Sequence, residues 1–200
     1  LLPVMPAYIQ AVGGSNLEVG LVTALFAIAA VAIRPYIGFV LRFRKRKSLI
    51  IIASASLLLI TVLYPISQIV WVLLFLRLLH GLAWGGGTTV NGTAAFDLIP
   101  KSRVGEGMGY YMISITVAMI VAPSLGIYIY QRLDFPILAM FSAILGGISL
   151  LLFALIRFQT PQTVLDNQQK VHRFSLRETL IDRNSLFPAI VTLCVSIGNG

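Results

Sequence analysis

Long apolar runs alternate with short polar breaks along the chain, and the runs have the length of a bilayer rather than of a core strand. Leu17 to Phe39, Ser48 to Ser67, Ile69 to Phe96, Met108 to Tyr130 and Pro136 to Ile156 each come close to the roughly 20 residues a spanning helix needs. Leu1 to Val12 is apolar but about half that length. With no initiator Met and no basic n-region it is not a signal peptide, and it reads as the last part of a cropped helix ended by Gly13-Gly14-Ser15. Asn16 is the expected N-cap of the next helix, with Glu18 in its first turn, where the dipole favours a carboxylate. Tyr64-Pro65 closes the third span, and Gly38 is expected to permit a close turn after the second. Leu186 to Gly200 opens a seventh span that stops after about fifteen residues.

Composition sharpens this. The chain is 58% hydrophobic and 11% charged, with a mean hydropathy of +0.90, and no soluble domain could bury that much apolar surface. The reading is an all-α membrane protein: a six-helix bundle over residues 1–157, a polar linker over 158–185, and the start of helix 7 over 186–200. Phe174 to Ile181 in the linker has the pattern of a short amphipathic helix lying on the membrane.

Lys and Arg outnumber acids 15 to 7. In a soluble chain that excess would point to nucleic acid, but here its position explains it. Arg42, Arg44, Lys45, Arg46, Lys47, Lys101, Arg103, Arg157, Lys170, Arg173, Arg177 and Arg183 fall in alternate connections, and Arg132 stands alone on the other side. The basic side is the cytoplasmic one, which makes the lipid bilayer the partner and leaves nothing for a nucleic acid to account for. The single Cys194 forms no intrachain disulfide.

Chemistry concentrates in the fourth run, where Arg77 is followed one turn later by His80. A cation at that depth costs about 2.5 to 3.5 kcal/mol, so it either faces a bundle interior or a water-filled cavity, or snorkels to the nearer headgroups. Arg34, before Pro35 near the end of its helix, is explained by snorkelling. Gly81 with Gly85-Gly86-Gly87 is a G-x-x-x-G pattern for close helix packing. Gly105-Glu106-Gly107-Met108-Gly109 lacks the preceding strand of a dinucleotide fingerprint, and His80 and His172 lie too far apart in the topology to share a metal, so no cofactor is expected. Asn91-Gly92-Thr93 is a formal glycosylation sequon inside a span and is discounted. Trp71 and Tyr64 sit at outer helix ends, where an aromatic belt explains them.

Six helices, a basic turn after the second and a long linker before the seventh resemble the amino-terminal half of a major facilitator superfamily transporter. The segment Gly38-Phe-Val-Leu-Arg42-Phe43-Arg44-Lys45-Arg46-Lys47 resembles the family's G-x-L-x-D-R-x-G-R-K pattern, without its Asp. Arg77-Leu-Leu-His80-Gly81 resembles R-x-x-Q-G in helix 4. Gly109, Ala118, Ala122-Pro123 and Gly126 stand at the offsets of the helix-5 motif of drug and proton antiporters, and Leu2-Pro3-Val4-Met5-Pro6 with Tyr8 is similar to the end of helix 1 in twelve-helix exporters.

The resemblance implies a secondary transporter working by alternating access: a small-molecule substrate, protons as coupling ion, and a second half of the same protein as the other wall of the cavity. It implies Arg77 and His80 on the substrate and proton pathway, Gly38, Arg42 and Asp97 in gating, and the helix-5 small residues with Pro123 in sealing. Asp97 at a helix C-terminus needs a cation to offset the dipole, and Arg42 is the expected partner. Against antiport, no Asp or Glu lies deep in any visible span. An uptake symporter for one metabolite is the rival on the same fold. A membrane enzyme is disfavoured because no nucleophile and base pair at a common depth.

Overall fold

The computed structural model describes residues 1–156, so the linker, its amphipathic segment and the start of helix 7 lie outside the described residues. The element order is α1 (Met5–Ala11), α2 (Asn16–Val40), α3 (Arg46–Leu63) with a single 3-10 turn at Tyr64–Ile66, α4 (Val70–Leu98), a second 3-10 turn at Lys101–Arg103, α5 (Val104–Leu133) and α6 (Phe135–Leu155). Five of these helices are long and apolar enough to cross a membrane. The large apolar side chains left outside, such as Ile28, Val31, Met119 and Leu155, are what a helix presents to lipid, where apolar surface has no water to avoid.

The helix starts and stops follow local chemistry. Ser15, not Asn16, caps α2: its Oγ accepts from the Glu18 backbone N–H at 3.4 Å, while the Glu18 carboxylate accepts from the Ser15 N–H at 2.7 Å. This is a capping box, and it places Asn16 already inside the helix. Gly13 ends α1 with a φ of 90°, a conformation only glycine adopts without cost. Gly38 departs from expectation. It is helical within α2, a Cβ there would meet nothing, and the turn begins only at Leu41. The link between α5 and α6 is shorter than expected, a single residue, Asp134, at φ 73° and ψ 165°.

Packing runs α2 on α4, α4 on α3 and α3 on α6, with α1 against α2 and α5 lying more loosely on α6. α4 is the most buried helix of the bundle and α5 the least. Two glycines set the α2–α4 distance. A Cβ at Gly81 would overlap the Phe26 carbonyl and the Ala29 side chain, and one at Gly85 would overlap the Ala30 backbone. The G-x-x-x-G stripe therefore brings the two backbones together, the packing role its spacing implied.

Candidate functional site

Close approach of α2 and α4 has a chemical consequence one turn before Gly81. Arg77 is 1% exposed, and its guanidinium turns toward α2 instead of climbing to the headgroups. Its Nε donates to the Val22 carbonyl at 3.1 Å, and its Cζ stands 4.5 Å from the centre of the Phe26 ring. Arg77 Nη1 is buried and has no hydrogen-bond partner among the described residues. Snorkelling is thereby excluded for this conformation: seven residues past Val70, or about 10 Å along the axis, the charge sits inside the bundle.

The magnitudes show what the site lacks. Burying an ion costs several kcal/mol even after relaxation. One hydrogen bond to a charged group returns about 1.5 to 3 kcal/mol, and a desolvated cation–π contact about 2. The balance is close to even with both N–H donors of Nη1 still unspent, which leaves Arg77 able to take an anionic or carbonyl acceptor there.

His80 lies beside it. Its Nδ1 is 3.1 Å from the Tyr64 hydroxyl, and its ring meets Phe26 edge-on at 5.6 Å. Tyr64 is completely buried, so it is not a belt residue, whereas Trp71 near the start of α4 is 70% exposed. The difference is the 3-10 turn at Tyr64–Ile66, which swings the ring inward against Phe135. Tyr8 of α1 stacks on the other part of this cluster, 3.7 Å from Phe135 and nearly parallel. Arg77, His80, Tyr64 and Phe26 thus form one polar-aromatic nest near the helix ends opposite the basic turn. The Arg77 and His80 pair is legible from their spacing; Phe26 and Tyr64 come from other helices and carry no such signal. Asn91 also lies deep in α4, with its Oδ1 buried and unpartnered among the described residues, which agrees with discounting its sequon.

At the basic end, Asp97 pairs with Arg46, not Arg42: Arg46 Nε to Asp97 Oδ2 is 2.8 Å. The reason is helical register. Ile50 of α3 packs in one cluster with Val90 and Ala94 of α4. Arg46 lies four residues before Ile50 and Asp97 three after Ala94, on the same faces. Arg42 belongs to the turn, is exposed, and makes no ion pair among the described residues. Arg46 Nη1 also donates to the Leu41 carbonyl at 2.8 Å, and Lys47 Nζ to the Ala154 carbonyl at 2.7 Å. Two cations in the first turn of α3 are unfavourable for α3 itself but satisfy the carbonyl ends of α2 and α6 and the acid at the end of α4.

The helix-5 residues are not brought to this nest. Gly126 is buried against Val4 of α1, whereas Ala118 and Ala122 are exposed and a Cβ at Gly109 would meet nothing. α5 runs unbroken through Pro123.

Comparison with known proteins agrees with this architecture. An uncharacterised MFS-type transporter of Methanocaldococcus jannaschii, MJ1560, is 26% identical over 170 residues, covering 85% of this chain and 43% of that protein. The quinolone resistance protein NorA of Staphylococcus aureus is 23% identical over 204 residues, covering 99% of this chain and 50% of that protein. The chain spans about half the length of these curated relatives. The Major Facilitator Superfamily model matches residues 1–199, and with membrane-length helices in this order the chain belongs to that superfamily of multi-pass membrane transporters.

Proposed function

We propose that this chain forms the amino-terminal half of a proton-coupled exporter of small amphipathic molecules, working by alternating access against a second half reached through the linker at 158–185. The observation that carries the reading is the buried guanidinium of Arg77 with Nη1 unspent. A transporter uses such a donor for a substrate group or for a carboxylate that gains and loses a proton, and that acceptor comes from outside the described residues. His80, bridged to Tyr64, holds the neighbouring wall of the pathway. The likeness to NorA, a quinolone resistance protein by name, supports export of a drug-like molecule.

In this reading the basic turn at Arg42 to Lys47 and the connection at Lys101 and Arg103 are cytoplasmic. The Arg46–Asp97 pair belongs, with Gly38 and Arg42, to the cytoplasmic gate. The open face of α5, with Gly109, Ala118 and Ala122, meets the second half, and Pro123 shapes that contact. The test is flux by the full-length protein in proteoliposomes under an imposed pH gradient, with a quinolone and an unrelated cationic dye as substrates. Gradient-driven movement of substrate opposite to protons, abolished by a protonophore, is the expected result. Movement in the same direction as protons, restricted to one metabolite, would establish the rival symporter.

A further inference from the structure

On the side of α4 away from Gly81 and Gly85, α2 and α3 each pack on α4 but hardly on each other, and a groove of about 410 Å³ remains between them. Ile33 and Ile37 wall it from α2, Leu82 and Gly86 of α4 floor it, and Ser56 of α3 places a hydroxyl in an otherwise apolar lining. Along α3 it runs from Leu49 to Ile60. At 1.5 Å per residue that is about 16 Å, close to half of a roughly 30 Å hydrocarbon core, which is one leaflet.

One end of the groove adjoins the basic turn, and Arg34 follows Ile33 on the α2 wall. Ile37 lies five residues before Arg42, and Leu49 one helical turn after Lys45, so the cation-bearing turn joining α2 to α3 lies next to that end of the groove. Arg46 and Lys47 are engaged by Asp97 and the Ala154 carbonyl, but Arg42, Arg44 and Lys45 are exposed and make no ion pair among the described residues. An apolar slot one leaflet deep under three unpaired cations matches a molecule with an anionic head and an apolar tail, and the bilayer around the helices supplies one. We propose that the groove holds an acyl chain of an anionic phospholipid whose phosphate rests on Arg42, Arg44 and Lys45. The orientation proposed above decides only which leaflet supplies the lipid.

The test uses full-length protein in neutral detergent, which does not depend on orientation or transport. Offered equimolar phosphatidylglycerol and phosphatidylcholine with identical chains, the protein should retain the anionic lipid with about tenfold preference or more in native mass spectrometry. The combined Arg42→Gln, Arg44→Gln and Lys45→Gln variant should bring the two lipids near parity, and Ser56→Trp should reduce retention of both. In a background with every native cysteine, Cys194 included, replaced by Ser, a fluorophore on Ser56→Cys should be quenched more strongly by brominated phosphatidylglycerol than by the brominated choline lipid. Equal retention by the unmodified protein, equal quenching at Ser56→Cys, or undiminished anionic retention in Ser56→Trp would each overturn the proposal. The last would reduce the effect to surface charge.

Discussion

Arg77 shows how a costly residue is housed rather than avoided. Its stem and guanidinium lie between α4 and α2, one donor goes to the Val22 carbonyl, the cation lies near the Phe26 ring, and Nη1 remains open. If that open donor is used in transport, Arg77→Ala should lower flux more than tenfold, equivalent to over 1.4 kcal/mol, while leaving the protein in the membrane. Arg77→Lys should restore little, because a point charge cannot serve Val22 and a second acceptor in the geometry of a planar fork. Flux of Arg77→Ala equal to that of the parent would leave the guanidinium a structural tie between two helices. Asp134 offers a contrast, since its strain has no visible purpose. Its φ of 73° and ψ of 165° lie in a region favourable only to glycine and costing a side-chain-bearing residue about 1 to 3 kcal/mol. It makes no side-chain cap for α6 to offset that cost. Asp134→Gly should therefore raise the thermal midpoint in detergent by about 2 °C or more, read by intrinsic fluorescence; an unchanged or lower midpoint would mean the Asp side chain contributes there.

Among the elements, α4 decides the bundle, because both its glycine stripe and its apolar stripe have partners. Gly81 and Gly85 admit the backbone of α2, and Val90 and Ala94 meet Ile50 of α3. Gly85→Val should separate α2 from α4, expose the Arg77 site and reduce folded yield strongly, since the added carbons would meet the Ala30 backbone, which cannot give way as a side-chain tip can. Gly38→Ala and Gly109→Ala should be tolerated, because nothing stands where their Cβ would be. Size-exclusion profiles of the three variants separate these expectations. The number and order of helices among the described residues, and the role of G-x-x-x-G, were legible in the sequence because bilayer length and small-residue spacing are local signals. The cap at Ser15, the inward turn of Tyr64 and the helical Gly38 were misread, since each depends on a shift of one to three residues in where a helix begins or ends.

For the whole molecule, the end that carries the basic turn is braced by α3. Arg46 and Lys47 reach the C-terminal ends of α2, α4 and α6 at once. Breaking the Arg46–Asp97 pair should shift the balance between inward- and outward-open forms by about 1 kcal/mol or less, because both partners retain access to solvent. Arg46→Gln and Asp97→Asn should each change labelling of a reporter cysteine at that end, and the double variant should change it by less than the sum. Arg42→Gln should be additive with Asp97→Asn. The opposite pattern, coupling through Arg42 and none through Arg46, would place the pair differently in the transporting protein. The sequence by itself determined that these are membrane helices, how many stand among the described residues, and that Arg77 and Asp97 need partners, because burial length, charge cost and dipole sign are properties of one segment. Which partners they find was decided only by tertiary structure: Val22, Phe26 and Arg46 lie 55, 51 and 51 residues away in sequence from the groups they meet. Their meeting depends on how closely Gly81 and Gly85 let α2 approach and on the register in which Ile50 packs against Ala94.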